Sequence, residues 1–297
     1  PPLELVDFNV FIYLLRQTIV KMAEILGKEV PAGVKERIAL TKQSANAVFL
    51  DTDEGFYYDV WADSTKQVKV KAFSGVLPLI TDWPDDKVRA RLLNDYLLSE
   101  EEFNTPCPVP SVSMSEPSFA SHDFWRGANW PQITWTFVYG LKRNHHFEAA
   151  SLILDKYLAE STKHHFCNEY CDSVTGQDVG LPFQGWGTLY VDHIIRHLCG
   201  IEPTETGFQF HPLATRYTSL EVRDVRLRDM IVHVKAQADH WVVTIDGEVA
   251  ITAPRGAVFT AGVENGNLVI AGPKDLDIAV IASESSHSRP LEIRTAD

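Results

Sequence analysis

Between residues 7 and 27 the apolar side chains of Phe8, Phe11, Ile12, Leu15, Ile19, Met22, Ala23 and Leu26 recur three and four positions apart. That spacing predicts a helix with one apolar face. Asp7 is placed to cap its start and Gly27 to stop it. A second helix is expected over 33–49. The segment DEGFYYDVWAD, 53–63, then breaks the period with a glycine and clustered aromatics, and reads as a loop or short hairpin. Helical spacing returns over 87–98, 130–141, 146–161 and 186–199, joined by long polar connections rich in Pro, Trp and Tyr. Beyond Gly200 the pattern changes to alternating Val, Ile and Thr, punctuated by Asp-Gly and Asn-Gly pairs that mark hairpin turns. The run 243–249 has the look of a hairpin, and the tail from Ser283 shows no clear pattern. The expectation is a mainly α chain, with a helical domain over 1–203 and a small antiparallel β-sandwich over 204–297.

A chain of 297 residues with 45% apolar content can bury a large core. Its formal net charge of −13 argues against nucleic-acid or anionic-membrane partners, which require clustered Lys and Arg. A neutral ligand fits better. No apolar run approaches the roughly 18 residues needed to span a bilayer. The four cysteines, Cys107, Cys167, Cys171 and Cys199, are too few for a disulfide scaffold, and they leave the compartment open with the cytoplasm slightly favoured. Cys167 and Cys171 beside His164 and His165 invite a zinc reading, but no second ligand pair at structural-zinc spacing accompanies them. No metal and no cofactor is expected.

The chemistry concentrates in three segments: DFWRGANWPQITW, NEYCDSVTG and LPFQGWGTLYVDHI. The first carries Trp125, Trp130 and Trp135 with Arg126 inside 11 residues. Flat aromatic faces and planar hydrogen-bonding groups of this kind bind pyranose rings. Gly127 lets the backbone turn sharply beside Arg126. Arg126 is suited to donating paired hydrogen bonds to sugar hydroxyls, or equally to an ion pair with Asp123. Trp130-Pro131 reads as a helix start. Trp186, between Gly185 and Gly187, is the best candidate for a sugar platform; Tyr170 and Gln184 complete the binding set. Glycoside cleavage needs two carboxyl groups, one to protonate the leaving oxygen and one to act at the anomeric carbon. Glu169 is the candidate for the second, against the bland reading of a surface carboxylate at a helix end. The pairs His145-His146 and His164-His165 read as helix-end residues, and His122-Asp123 lacks a nucleophile to serve.

Six motifs taken in order, VDFNVFIYLLRQTIVKMAEILG, EGFYYDV, SGVLPLITDWP, DFWRGANWPQITW, NEYCDSVTG and the QGWG stretch, resemble the second half of the catalytic domain of glycoside hydrolase family 63, over 5–201. That family includes α-glucosidases and mannosylglycerate hydrolases and is related to trehalases. The resemblance implies the second half of an (α/α)6 toroid with a β-sandwich appended, and an inverting mechanism. Glu169 matches the family's general base, Trp125 to Gly127 a substrate-binding segment, and Trp186 an aromatic position near the pocket. The NEYCDS form departs from the commoner E-x-Y-x-P loop by placing Tyr one position early. The family's general-acid Asp lies ahead of the motif that begins at Leu5. A chain opening Pro1-Pro2-Leu3 with half the helices of a toroid is therefore expected to be the C-terminal part of a longer enzyme, its open helix faces covered by the N-terminal half or by self-association.

The leading expectation is an inverting hydrolase of an α-linked glucoside or mannoside. A phosphorolytic enzyme is disfavoured, since Glu169 would lack a task. The alternative is a non-catalytic carbohydrate-binding or scaffold protein derived from this fold.

Overall fold

The computed structural model describes residues 2–164, 168–275, 277–282 and 289–296. The chain divides into two compact units, Pro1–Gly187 and Thr188–Asp297. Helix makes up 34% and strand 27%, so the fold is mixed rather than mainly α.

In the first unit, strand β1 (Leu3–Glu4) leads into helix α1 (Val6–Ile25). Asp7 does not cap α1: the N-cap is Leu5, and the free N–H of Val6 is taken by Asp59 Oδ1 at 2.8 Å. Gly27 stops the helix as expected. Its φ of +60° allows Gly27 N–H to reach Glu24 O and Lys28 N–H to reach Ala23 O, a Schellman ending. Helix α2 (Val34–Val48) packs on α1. The aromatic break forms the hairpin of β2 (Leu50–Asp51) and β3 (Phe56–Tyr57), and β4 (Val60–Trp61) pairs back with β1. Short 3-10 turns at Phe73–Gly75 and Leu77–Ile80 lead to α3 (Asp86–Arg91), capped by Asp85 accepting from Val88 N–H and continued as a π-turn over Leu92–Leu97. Helices α4 (Pro131–Arg143) and α5 (Phe147–Ser161) pack together, with Pro131 at the first helical position. The hairpin of β5 (Asn168–Cys171) and β6 (Asp178–Pro182) follows.

Only Ala23 of the periodic face of α1 is buried, with Ile12 and Ile19 half-buried. Val6, Val10, Tyr13 and Ala23 are buried, whereas Phe8 (62% exposed), Leu15 (59%), Met22 (55%) and Ile25 (71%) lie open along one stripe with Phe11 and Leu26. Among the described residues no helix is long and apolar enough to cross a membrane.

In the second unit, α6 (Leu189–Asp192) winds on as a π-turn through His193–Leu198. The 186–199 helix expected from the sequence is thus divided, beginning as a 3-10 turn at Gly185–Thr188. Ten strands follow: β7 (Ile201–Pro203), β8 (Gly207–Phe210), β9 (Leu220–Leu227), β10 (Met230–Ala236), β11 (His240–Ile245), β12 (Val249–Pro254), β13 (Phe259–Glu264), β14 (Asn267–Pro273), β15 (Ala279–Ala282) and β16 (Leu291–Ala296). They form two five-stranded sheets, β15-β12-β11-β10-β9 and β16-β14-β13-β8-β7. Side chains of both, including Val232, Val243, Ile251, Phe208, Phe259 and Ile270, share one buried core. Ile194, Ile195 and Cys199 pack on it, which places the π-turn with this unit although the sequence change falls after it. Asp246-Gly247 and Asn265-Gly266 hold φ between +51° and +85°, the positive pair that a type I′ hairpin turn requires. The sandwich is not wholly antiparallel: β16, in the tail that showed no pattern, pairs parallel with β14.

Candidate active site

The DFWRGANWPQITW stretch folds as a tight loop ahead of α4. Arg126 N–H donates to Asp123 O at 2.7 Å, and Ala120 N–H to Arg126 O at 2.7 Å. Gly127, at φ +146°, sits where a Cβ would lie 2.5 Å from Ala120 O. The backbone here therefore approaches Ala120 more closely than a side chain would allow. Gly127 N–H donates to Ser111 Oγ at 2.9 Å. Arg126 pairs with Asp123, Nη2 to Oδ2 at 2.5 Å, which is the ion-pair alternative. The side chain is still 65% exposed, and a guanidinium has five N–H donors, so others remain open to a ligand.

The tryptophans do not share one role. Trp130 is buried (2% exposed), its ring stacked against Trp125 at 4.2 Å and 6° and against Tyr170 at 4.8 Å and 28°. Its Nε1–H is fixed on Phe124 O at 3.0 Å. It is the keystone of the cluster. Trp125 (45% exposed) and Phe124 form the open edge, and Trp186 lies 6.3 Å from Trp130 between centroids. Trp135 stacks instead on Tyr139 along α4, at 4.9 Å. Phe124, which edges onto Trp125, Trp130 and Tyr170 together, is a cluster member that the sequence reading missed although it stands inside the motif.

Glu169 stands on β5, in a hairpin rather than in the loop expected. Two contacts fix it: Leu181 N–H donates to Oε2 at 3.1 Å, and Trp186 Nε1–H donates to the Glu169 carbonyl at 2.7 Å. Gly180, at φ +77°, is required beside it, because a Cβ there would fall 2.8 Å from Glu169 Cβ and 2.9 Å from Oε2. Among the described residues Oε1 accepts no hydrogen bond. Burial, then the negative charges of Glu169 and Asp123, push the Tyr170 hydroxyl above its ordinary range, so it stays a neutral donor. Burial also acts to raise Asp172, but the backbone N–H groups of Thr175 and Val174 and the Ser121 hydroxyl outweigh it and hold the carboxyl below the usual range. Asp172 thus anchors the hairpin turn. Gln184 is half-buried just beyond β6, its carbonyl accepting from Gly187 N–H at 3.0 Å.

Behind β5 lies Asn129, 0% exposed and outside the expected set. Its backbone exchanges both hydrogen bonds with Cys171, at 2.9 and 3.0 Å. Its Nδ2 donates to Pro108 O and, at 2.7 Å, to Thr134 Oγ1. The residue joins the loop ahead of α4, α4 itself and β5 in one network. Beside it a crevice of ≈ 20 Å³, lined by Tyr157, Asn168, Tyr170 and Cys171, has room for a water but not for a sugar ring. His165 and Cys167 lie outside the described residues. Among the described residues no group of three His, Cys, Asp or Glu side chains is placed to hold a metal.

Residues 2–188 match the family described as the mannosylglycerate hydrolase MGH1-like glycoside hydrolase domain. The mannosylglycerate hydrolase of Rubrobacter radiotolerans is 28% identical over 193 residues, 63% of this chain and 43% of the relative. The crystal structure of the family 63 mannosylglycerate hydrolase of Thermus thermophilus with Tris and D-glycerate is similar at TM-score 0.57 and 26% identity, over 64% of this chain and 45% of that one. A family 78 rhamnosidase of Bacillus sp. GL1 shares the fold alone, at TM-score 0.55 and 15% identity, over 98% of this chain and 27% of its own. The chain spans less than half the length of these relatives. Through residues 2–188 it belongs to the MGH1-like glycoside hydrolase family, as its motifs lead one to expect.

Proposed function

We propose that this chain supplies the water-activating half of an inverting α-glycosidase acting on a glucoside or mannoside of a small hydroxy acid such as glycerate. The observation that carries the reading is Glu169 itself. It is a carboxylate on a short hairpin, held by Leu181 N–H through one oxygen, with the Trp186 indole on its carbonyl and its neighbour Tyr170 stacked on Trp130, which stacks in turn on Trp125. Oε1 takes a proton from water while Leu181 N–H steadies the charge on Oε2. Arg126 and the open aromatic edge orient the sugar, contributing through positioning. The substrate class follows the names of the relatives, a mannosylglycerate hydrolase and, 32% identical over 78 residues, a glucosylglycerate hydrolase of Mycolicibacterium hassiacum.

In this reading the general acid is the Asp that the family carries ahead of the segment matched here, on the first half of an (α/α)6 toroid. Inversion places the two carboxyl groups about 6.5–9.5 Å apart, leaving room for the water. The stripe of α1 is the seat for that half. Exposed apolar side chains along five helical turns exceed what a soluble surface carries without a partner. Grooves of ≈ 500 Å³, lined by Asn9, Arg16, Arg37 and Thr41, and ≈ 630 Å³, lined by Phe11, Leu14, Trp135 and Tyr139, flank it.

The test is hydrolysis of α-mannosylglycerate, α-glucosylglycerate and trehalose by the chain, alone and with a polypeptide carrying the family's first half, beside Glu169→Gln. Release of the inverted anomer, dependent on the added half and lost in Glu169→Gln, is the expected result. Normal turnover by Glu169→Gln overturns the assignment of the base. Sugar binding without turnover in the complemented protein favours the carbohydrate-binding alternative.

A further inference from the structure

Cys107 and Cys171 are 64 residues apart in sequence, yet their sulfurs lie 3.1 Å from each other. Both are free thiols. Closing them to the bond length of about 2.05 Å takes a movement of about 1 Å. The backbone around them is already cross-braced: Cys107 N–H donates to Ser173 O at 2.9 Å, and Cys171 exchanges two hydrogen bonds with Asn129. The two segments therefore stand side by side whether or not the sulfurs are joined. Asn129 holds the far side as well, since its Nδ2 binds Pro108 O, next to Cys107, while the Cys171 thiol points at its Oδ1 from 3.6 Å. Cys171 is partly accessible, and Cys107 is buried at 1% exposure.

We infer that Cys107 and Cys171 form a dithiol modification site, oxidised to a disulfide by a low-molecular-weight disulfide of the oxidised-glutathione class. The Cys171 thiolate attacks one sulfur of the small disulfide and expels its partner as a thiolate, which takes up a proton. Cys107 then loses its proton to solvent and attacks the Cys171 sulfur, expelling the second small thiol. Two protein thiols are oxidised and one disulfide is reduced to two thiols. In the reduced pair the neighbouring Cys171 thiol, then burial, hold Cys107 protonated well above the ordinary thiol range, and once Cys171 is in the mixed disulfide burial alone still disfavours the Cys107 thiolate. The second step is therefore the slow one and accelerates as pH rises. The product closes a long loop and staples β5 to the 103–113 segment, which constrains the unfolded chain and the hairpin. It stands independently of the role of Glu169.

The full 297-residue chain, in a Cys167→Ser background so that one peptide carries one thiol, is equilibrated with oxidised glutathione and then with dithiothreitol. The expected product has lost two hydrogens by intact mass, joins the Cys107 and Cys171 peptides in a non-reducing map, and melts several degrees higher, all reversed by dithiothreitol. Cys107→Ser stops at a mixed disulfide on Cys171, and Cys171→Ser gives no cross-link. A parent chain that keeps glutathione on Cys171, stays fully reduced under strongly oxidising glutathione, or links Cys107 to Cys199 overturns the inference. The parent's mass map decides even where a serine variant misfolds.

Discussion

Replacing Gly180 by alanine tests how the Glu169 carboxylate is held. The backbone at Gly180 has φ +77°, a region that costs a residue with a Cβ about 1–2 kcal/mol. The new methyl would meet Tyr170 Cε1 at 2.7 Å, Glu169 Cβ at 2.8 Å and Glu169 Oε2 at 2.9 Å. A Cβ is anchored to its strand and cannot swing away, so relief requires β5 and β6 to separate, an overpacking penalty of about 1–3 kcal/mol. The sum, about 2–5 kcal/mol, falls on a two-stranded hairpin and appears first as local opening. At tenfold per 1.4 kcal/mol, the Leu181 amide, whose hydrogen is held by Glu169 Oε2, should exchange at least about thirtyfold faster, up to the limit set by the open hairpin. Gly176→Ala is the internal control. Its φ is +69°, but the nearest contact is Glu160 Cβ at 3.0 Å, so it carries the conformational penalty without touching Glu169. Hydrogen exchange resolved at Leu181, with turnover of the complemented protein, gives the readout. Equal exchange at Leu181 in Gly180→Ala and Gly176→Ala would refute the claim that Gly180 is needed for the space beside Glu169.

Asn129→Ala removes the side-chain donor to Thr134 and Pro108 from a fully buried site, a loss of about 3 kcal/mol. The helical unit should melt about 6–12 °C lower by calorimetry, at roughly 2–4 °C per kcal/mol for its size; an unchanged transition would show that the network is not structural. The triple change Phe8→Gln, Leu15→Gln, Met22→Gln should shift stability by no more than about 0.5 kcal/mol per site, because these side chains are open in this chain, while reducing association in sedimentation. A large fall in the melting temperature would mean that they are packed within the chain. Burial drives His193 down to about 3, opposed only by the charge of Asp192. The folded state therefore holds it neutral while the unfolded state binds a proton below about 6.5, so stability falls as pH drops from about 6.5 toward 3, by up to about 1.4 kcal/mol per pH unit. Acid unfolding of the sandwich unit followed by circular dichroism should be shallower in His193→Gln, and identical slopes would remove His193 from the account.

What the sequence made legible follows the physics of local period. The strands after Gly200 alternate with a period of two and are closed by Asp-Gly and Asn-Gly, whose positive φ values the structure shows, so sheet and hairpins could be read directly. The parallel pairing of β16 with β14 spans an intervening strand and has no local signature. The hairpin carrying Glu169 was hidden for a different reason. All four residues of β5 are half-buried, so no face alternates, and Gly180 interrupts β6 where a strand former would be expected. On α1 the period was plain but its meaning was not. Spacing shows that an apolar face exists and is silent on what covers it; here the burial comes from Val6, Val10 and Tyr13 while the stripe stays open. By sequence Arg126 is suited to sugar hydroxyls or to an ion pair with Asp123, and the ion pair is present while the side chain stays largely exposed.

The division of labour at the site follows from where its constraints originate. Among the described residues the contacts that fix Glu169 come from the same unit: Leu181 and Gly180 on the facing strand, the Trp186 indole on its carbonyl, and Asn129 bracing β5 from behind through Cys171. Trp130, one of the sugar-binding candidates read from the sequence, is used up in that support, with Trp125 and Tyr170 on its ring and its N–H on Phe124. What the unit leaves open is the edge formed by Trp125, Phe124 and Arg126, and the α1 stripe. With Glu169 as the base, preorganisation of the water-activating group is intrinsic to residues 2–187, and a complementing half has only to bring the acid and close the sugar site. The hairpin geometry, read through exchange at Leu181, should then be the same with and without the complementing half, while turnover appears only with it. A hairpin that becomes protected only on complementation would place the positioning of Glu169 in the partner instead.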